Sequence, residues 1–257
     1  MSDERRDPPP SPAGRGEPWY VGAFDEAYLE RYAHRDDAEA TRQVAWLAEA
    51  SVVGDGLRVL DLCCGAGRHG APARKVGARV VGLDLSAALL REACRRLPVA
   101  RGDMRRLPFA DAAFDGVFQM FTAFGYFEAD DENRAVLDEV ARVLLPGGRY
   151  ALDLMNARRE IERLVPRSTT RHDDGRVERA TRSHDPARRR IEKEIEVTHP
   201  DGRIERRRES VRVFAEDELA GWLDAAGLSV DRIAGDDRGA PFRAEDSPRM
   251  IVVAVRR

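Results

Sequence analysis

The sequence predicts an α/β protein whose mostly parallel sheet is interrupted by an antiparallel insertion. Short apolar runs alternate with stretches of helical periodicity between about residues 58 and 157, and again after residue 215. Alternating strands and helices form parallel sheets with right-handed crossovers. Residues 158–214 instead carry strand-like stretches separated by Asp-Pro and Asp-Gly turns at 185–186 and 201–202. They predict three or four antiparallel strands, whose alternating Arg and Glu residues favour cross-strand ion pairs over a platform for an anionic ligand.

The order of the elements follows from apolar periodicity and from turn residues. Strands are expected at 58–62, 78–84, 98–103, 114–120, 149–155, 228–234 and 249–256. Helices are expected at 22–35, 38–50, 67–76, 86–96, 130–145 and 216–226. Ser86 is the predicted N-cap of its helix, and Pro146-Gly147-Gly148 should end the helix before it.

Length and composition limit the kinds of function that the protein can have. The 257 residues suit one α/β domain with an insertion, and the net charge of -3 gives no basic bias toward nucleic acid. Three cysteines make no disulfide framework, and no apolar run reaches the roughly 18 residues of a membrane span. Residues 1–18 are charged and proline-rich without the apolar core of a signal peptide, so they predict a disordered tail. The expected location is the cytoplasm.

The stretch VLDLCCGAGRHG, residues 59–70, fits two kinds of cofactor loop. Gly65, Gly67 and Gly70 spell the G-x-G-x-x-G of a dinucleotide site. Asp61, however, interrupts a strand that should be buried on both faces, where an unpartnered carboxylate is costly. A dinucleotide gives this acid no role, whereas a ligand with an ammonium group would. Gly65 and Gly67 turn the chain toward a ligand in either case, and Gly70 then becomes a helix-packing position.

Two more acids are expected at the same edge of the sheet. Asp84 ends the second strand, nineteen residues after Gly65, where it can accept both hydroxyls of a ribose. Asp103 and Met104 end the third strand, where the carboxylate can accept an adenine amino group and the thioether can pack on the ring. Ligands of such sheets bind where the carboxyl ends of the strands converge, so three acids together indicate a nucleoside-containing cofactor.

These motifs resemble a known family. VLDLCCGAGRH, VVGLDLS, RGDMRRLPFADAAFDGVF and EVARVLLPGGRYALDLM are similar to the successive motifs of class I S-adenosylmethionine-dependent methyltransferases. The resemblance spans about 58–155 and resumes at the carboxyl-terminal strands. One departure is Cys63, where the family usually has the first glycine of its loop. FTAFGYF at 121–127, the insertion and GAPFRAEDSPRMIVVA together resemble a bacterial small-molecule subgroup that includes the lincosamide N-methyltransferases.

The resemblance implies a Rossmann-like seven-stranded sheet, mostly parallel with the last strand antiparallel. The methyltransferase domain would comprise 19–157 and 215–257, with amino-terminal helices as a lid and the insertion 158–214 on the substrate side. The residues expected around S-adenosyl-L-methionine are Asp61, Gly65, Gly67, Asp84, Leu85, Asp103, Met104 and Met120. His69 is expected to be structural or cofactor-adjacent rather than a general base.

The methyl acceptor is expected to be a small molecule. Phe121, Phe124 and Tyr126 follow the fourth strand, and Tyr20 and Tyr28, with Tyr32, lie in the lid helices. These rings suit either a pocket wall and lid or ordinary core and anchoring positions. The Asn/Asp-Pro-Pro-aromatic clamp of nucleobase methyltransferases is absent, which disfavours a nucleic-acid substrate. No acid cluster after the fourth strand suggests a metal.

The expected reaction is in-line methyl transfer, most simply to nitrogen, with no catalytic residue assigned. Asp153 and Asn156 end the fifth strand near the expected substrate, and Arg249 has no assigned role. The alternatives are O- or C-methylation of a small metabolite, a non-catalytic S-adenosylmethionine-binding protein and a nicotinamide-dependent oxidoreductase. The strand edges of the insertion could also pair in a homo-oligomer.

Overall fold

The computed structural model describes residues 18–25, 28, 29 and 37–257. The predicted tail up to residue 17 and Tyr32 lie outside the described residues.

A seven-stranded sheet forms the centre of the fold. Its strands are β1 (Arg58–Leu62), β2 (Arg79–Asp84), β3 (Val99–Arg101), β4 (Phe114–Gln119), β5 (Leu144–Met155), β10 (Leu228–Ala234) and β11 (Arg249–Arg256). The spatial order is β10-β11-β5-β4-β1-β2-β3. Neighbouring strands are parallel except β11, which runs antiparallel to both β5 and β10. The predicted sheet, with its last strand antiparallel, is therefore confirmed.

Helices cover both faces of this sheet. They are α1 (Trp19–Ala23), α2 (Asp37–Glu49), α3 (Gly70–Lys75), α4 (Ala87–Ala93), α5 (Asp130–Val143), α6 (Ala157–Glu162) and α7 (Glu216–Ala225). One core cluster joins α2, α3 and α4 to the sheet, and the other joins α5 and α7 to its opposite face. Because side chains alternate along a strand, Asp61 shares the α2–α4 side with Val59, whereas Leu60 and Leu62 face α5.

Three predicted boundaries are wrong. The helix expected at 67–76 begins only at Gly70, because the residues before it form the turns of the loop after β1. The helix expected at 22–35 begins earlier, at Trp19, and is interrupted after Ala23; residues 28 and 29 are helical again, and residues 26, 27 and 30–35 lie outside the described residues. The strand expected at 149–155 begins at Leu144, directly after α5 ends at Val143, so Pro146-Gly147-Gly148 lies inside β5, where the pairing with β4 is irregular.

The insertion forms a second sheet of four antiparallel strands. They are β6 (Arg167–Arg171), β7 (Val177–Asp185), β8 (Arg190–Thr198) and β9 (Ile204–Arg212), in that spatial order. The expected ion pairs are present: Arg208 lies 3.0 Å from Glu192, and Arg206 lies 3.0 Å from Glu196. Among the helices that the structure describes, none is long and apolar enough to cross a membrane.

Two buried arginines fasten the insertion to the main domain, Arg190 to the segment after β4 and Arg212 to the first turns of α5 and α7. The Arg190 guanidinium, 2% exposed, donates hydrogen bonds to the backbone carbonyls of residues 125, 126 and 127 at 2.9–3.2 Å. The Arg212 guanidinium pairs with Asp130 at 2.6 Å and with Glu218 at 2.7 Å. The insertion therefore lies directly against the carboxyl edge of the main sheet.

Candidate active site

The loop after β1 turns through three left-handed residues. Cys63 has φ +60°, Gly65 φ +54° and Gly67 φ +76°. A non-glycine residue in this region costs about 1–2 kcal/mol, which explains why glycine suits position 63 and why Cys63 is a departure. A Cβ at Gly67 would lie 2.4 Å from a side-chain carbon of Leu97, so a larger residue there would have to displace Leu97.

Asp61 is a buried acid with an unsatisfied oxygen. Its side chain lies beneath the start of α3 and is 3% exposed, and its Oδ2 has no hydrogen-bond partner among the described residues. The pKa of this carboxyl is raised to about 8, because burial and the neighbouring Asp84 raise it more than the Gly70 N–H and Arg68 lower it. A Cβ on Gly70 would lie 2.5 Å from Leu97 and 3.0 Å from that oxygen. Gly70 therefore serves close packing.

Asp84 holds the loop and the next helix together. One carboxylate oxygen accepts the Gly65 N–H at 2.8 Å, and the other accepts the Ser86 N–H at 2.8 Å. Burial raises the pKa of Asp84, and these N–H groups oppose that rise. Ser86 caps α4 as predicted, because its Oγ accepts the Leu89 N–H at 3.2 Å. The same hydroxyl donates to the Phe24 carbonyl at 2.6 Å and so ties the amino-terminal segment to this edge.

The three predicted acids lie on three neighbouring parallel strands, Asp61 within β1, Asp84 at the end of β2 and Asp103 just after β3. Burial raises the pKa of the Cys63 thiol well above its usual value, and these three carboxylates raise it further. Asp103 is already engaged, however. Both its oxygens accept hydrogen bonds from the Arg105 guanidinium, which also lies 2.5 Å from Glu132. Arg105 is a neighbour that sequence reasoning missed.

The sulfur of Met104 lies under the loop rather than on an open surface. Met104 is 7% exposed, and its Sδ is 3.6 Å from Cys63 Sγ and 3.4 Å from Gln119 Nε2. Met120 is 5% exposed and belongs to the core on the α2–α4 side. Leu85, directly after β2, is half-buried, and its carbonyl accepts the Arg101 Nε–H at 3.0 Å.

A strained turn follows β4 at the centre of this edge. Phe121 and Thr122 have φ values of +65° and +56°. The carboxylate of Asp153, 1% exposed, accepts the Phe121 N–H at 2.9 Å, and its backbone carbonyl accepts the Thr122 N–H at 2.9 Å. Arg249 from β11 donates to Asp153 at 2.7 Å and to the Thr122 hydroxyl at 2.8 Å. Two neighbouring strands thus hold the turn in place.

Aromatic residues gather above this turn. The Tyr126 ring lies 4.9 Å from Trp19, 6.5 Å from Tyr20 and 5.9 Å from Phe24, and Phe24 lies 5.1 Å from Tyr28. The predicted lid residues Tyr20 and Tyr28 and the predicted pocket residue Tyr126 therefore meet in one cluster. Trp19 belongs to it as well, although sequence reasoning gave Trp19 no role.

Other predicted residues have packing or structural roles. Phe124 is fully buried and packs on Phe214 at 5.3 Å, so the structure places it in the core instead of on a pocket wall. His69 is buried, and its Nε2 lies 2.6 Å from Gln43 Oε1, which fits the expected structural role. Asn156 donates to the carbonyls of residues 244 and 247 and so holds a loop. Within the described ranges, no group of three or more His, Cys, Asp or Glu side chains could hold a metal ion.

The central segment of the chain matches a known protein family. Residues 59–148 match the family model of a methyltransferase domain. An uncharacterised protein of Mycobacterium tuberculosis is 38% identical over 109 residues, which is 40% of this chain and 38% of the relative. A demethylmenaquinone methyltransferase of Mycolicibacterium paratuberculosis is 43% identical over 101 residues, 39% of this chain and 42% of that enzyme. The chain thus spans less than half the length of these curated relatives.

Solved structures match almost the whole chain. The CcbJ methyltransferase of Streptomyces caelestis superposes with a TM-score of 0.76 at 21% identity, covering 91% of this chain and 98% of that one. CalS10, an amino pentose methyltransferase of Micromonospora echinaspora, gives 0.65 at 23% identity, covering 90% and 96%. Together with the strand order, these similarities confirm the predicted class I methyltransferase fold.

Proposed function

We propose that this protein is an S-adenosylmethionine-dependent methyltransferase that methylates a nitrogen atom of a small molecule in the cytoplasm. The observation that carries the proposal is the buried Asp61 carboxyl with its unsatisfied oxygen beside the glycine loop. Burial of such a group is costly unless a ligand supplies a partner, and the ammonium of the methionine moiety would do so. A nicotinamide dinucleotide gives Asp61 no corresponding role.

The neighbouring acid supports the same cofactor. Each Asp84 oxygen accepts one backbone N–H, and a carboxylate oxygen has two lone pairs. One lone pair on each oxygen therefore remains for the ribose hydroxyls. Asp103 would meet the adenine amino group through the lone pairs that Arg105 leaves, while Leu85, Met104 and Met120 would form apolar walls.

The cofactor supplies an activated methyl group on a sulfonium, and the protein supplies position and exclusion of water. The Asp153–Arg249 pair fixes the turn at Phe121 and Thr122, and the ring cluster of Trp19, Tyr20 and Tyr126 would cover the reacting groups. Aromatic faces at this place would also stabilise a cation.

A nitrogen acceptor fits the chemistry of this edge. A neutral amine needs no general base, whereas a hydroxyl acceptor usually does. The one histidine of the cofactor loop, His69, is hydrogen-bonded to Gln43. The solved neighbours include proteins described as an amino pentose methyltransferase and a sugar N-methyltransferase. O- or C-methylation and non-catalytic cofactor binding are the competing functions.

The test is transfer of a ¹³C-labelled methyl group from S-adenosylmethionine to small amines, each paired with its hydroxyl analogue. Mass spectrometry should find the label on amines and not on their hydroxyl partners. Label on the hydroxyl partners alone would contradict N-methylation. Binding of S-adenosylhomocysteine without labelling of any member of the panel would support a non-catalytic binding protein.

A further inference from the structure

A cavity lies between α6 and the insertion, beyond the carboxyl end of β5. Its volume is about 450 Å³, and its apolar wall includes Met155, Ile191 and Val211. Met155 is the last residue of β5, two positions after the Asp153 that holds the turn of the candidate active site. The cavity is therefore next to the turn of the candidate active site.

A row of three charged residues crosses the wall of this cavity. Arg182, Lys193 and Glu209 are register partners on β7, β8 and β9, and all three line the cavity. Lys193 Nζ lies 3.5 Å from the Glu209 carboxylate, so these two charges offset each other. Arg182 is left directly opposite a second cation. Like charges in this position destabilise a sheet, so the arrangement requires another explanation.

The positive charges of Arg182 and Arg163 are not compensated by nearby acids. The Arg182 guanidinium donates to the Ser168 hydroxyl at 3.0 Å and to the Val165 carbonyl at 3.5 Å, which are both neutral. Arg163, directly after α6, also lines the cavity; it is exposed, and its guanidinium makes no hydrogen bond or ion pair with any residue that the structure describes. The remaining acid of the lining, Glu160, pairs with Arg159 at 3.2 Å. Two guanidinium groups thus face the cavity without a carboxylate.

The cavity also adjoins the candidate active site through β11. Met155 in the cavity wall is the register partner of Arg249, which donates to the Thr122 hydroxyl at 2.8 Å. A molecule bound in the cavity could extend from this wall toward the turn at Phe121 and Thr122.

We propose that the cavity binds an oxyanion group of the methyl acceptor, a carboxylate or a phosphate, between Arg163 and Arg182. Arginine guanidinium groups suit both anions because their donors form a planar fork. The apolar wall would hold the carbon skeleton. The platform for an anionic ligand, which the sequence favoured less than cross-strand ion pairs, would then be present on this face of the insertion. This inference rests on the proposed methyltransferase function and names its substrate class.

Calorimetry on the full chain saturated with S-adenosylhomocysteine tests the inference. Two pairs of amines differ in one anionic group: 4-aminobenzoate with 4-aminobenzamide, and glucosamine 6-phosphate with glucosamine. In one pair the anionic member should bind at least about tenfold more tightly than its partner. The pair that shows the preference identifies carboxylate or phosphate.

Variants test which residues cause the preference for the anionic ligand. Arg163→Met combined with Arg182→Met should abolish the preference for the anion. Arg163→Met alone, which breaks no hydrogen bond or ion pair with a described residue, should lower the preference severalfold even if the double variant does not fold. Arg179→Met is the matched control, because Arg179 lies on β7 with its side chain on the other face and should leave the preference unchanged.

Equal affinities within both pairs would overturn the inference, and so would a preference that survives the double variant. The titration of S-adenosylhomocysteine itself reports separately on the proposed function. If that compound does not bind, both proposals are wrong. If it binds and neither anion is preferred, only the cavity proposal is wrong.

Discussion

Binding of the cofactor should release a proton from Asp61. In the free protein this carboxyl is buried, with a pKa raised to about 8 mainly by burial, so it is mostly protonated at pH 7. A ligand ammonium placed against it would favour the ionised form. The protein must then give up the proton as S-adenosylhomocysteine binds, and binding should tighten as the pH rises from 6 to 8.

The number of protons released follows from the pKa of Asp61 in the free protein and in the complex. A group of pKa about 8 carries about 0.9 proton at pH 7. An opposite charge at close range lowers a carboxyl pKa by about 1–3 units, which gives a bound value of about 5–7. The bound carboxyl then keeps between almost none and about half a proton, so about 0.4–0.9 proton is released.

Calorimetry in buffers of different ionisation enthalpy measures this release directly. Asp61→Asn is the matched variant, because it preserves shape and removes the titrating group. The difference between native protein and variant isolates Asp61 from other groups, including Asp84, whose pKa burial also raises. Equal proton release by the two proteins at pH 7 would refute the role given to Asp61.

Three further substitutions test the remaining parts of the site. Asp84→Ala should weaken S-adenosylhomocysteine binding by about a hundredfold or more, because it removes the ribose acceptor and leaves the Gly65 N–H without its partner. Circular dichroism should show an intact fold. Unchanged affinity would mean that the ribose lies elsewhere. Arg249→Met should lower kcat by about ten- to a hundredfold, because the turn after β4 loses the hydrogen bonds that hold it. The cofactor Kd should change less than about threefold. An unchanged kcat would show that these hydrogen bonds are dispensable. Arg190→Met should lower the free energy of unfolding by about 3 kcal/mol or more in denaturant titrations, because the buried carbonyls of residues 125–127 lose their hydrogen-bond donor. A loss below about 1 kcal/mol would contradict this.

The parts of the fold that could be predicted are those set by local pattern. The positions of the strands follow from apolar runs, and the acid that interrupts the first of them locates the site. Ser86 is visible as a cap because capping is a property of adjacent residues. The boundary at Leu144 was not predictable, since Pro146-Gly147-Gly148 is normally a stop signal and here continues into a strand with irregular pairing.

The parts of the site that could not be predicted depend on distant partners. Arg249 meets Asp153 across 96 residues of sequence, and Arg190 meets the carbonyls of 125–127 across more than 60. An arginine at the head of the apolar strand RMIVVAVR was the available signal for the first contact. Phe124 and Tyr126 are two residues apart in the same aromatic segment, yet one packs in the core and the other meets the lid, a difference that only the path of the chain decides.

Calorimetric titration of the protein with S-adenosylhomocysteine and, separately, with NAD tests the central claim most directly. The cofactor site built on Asp61 and Asp84 predicts that S-adenosylhomocysteine binds and that NAD does not. Tight binding of NAD with no response to S-adenosylhomocysteine would contradict it.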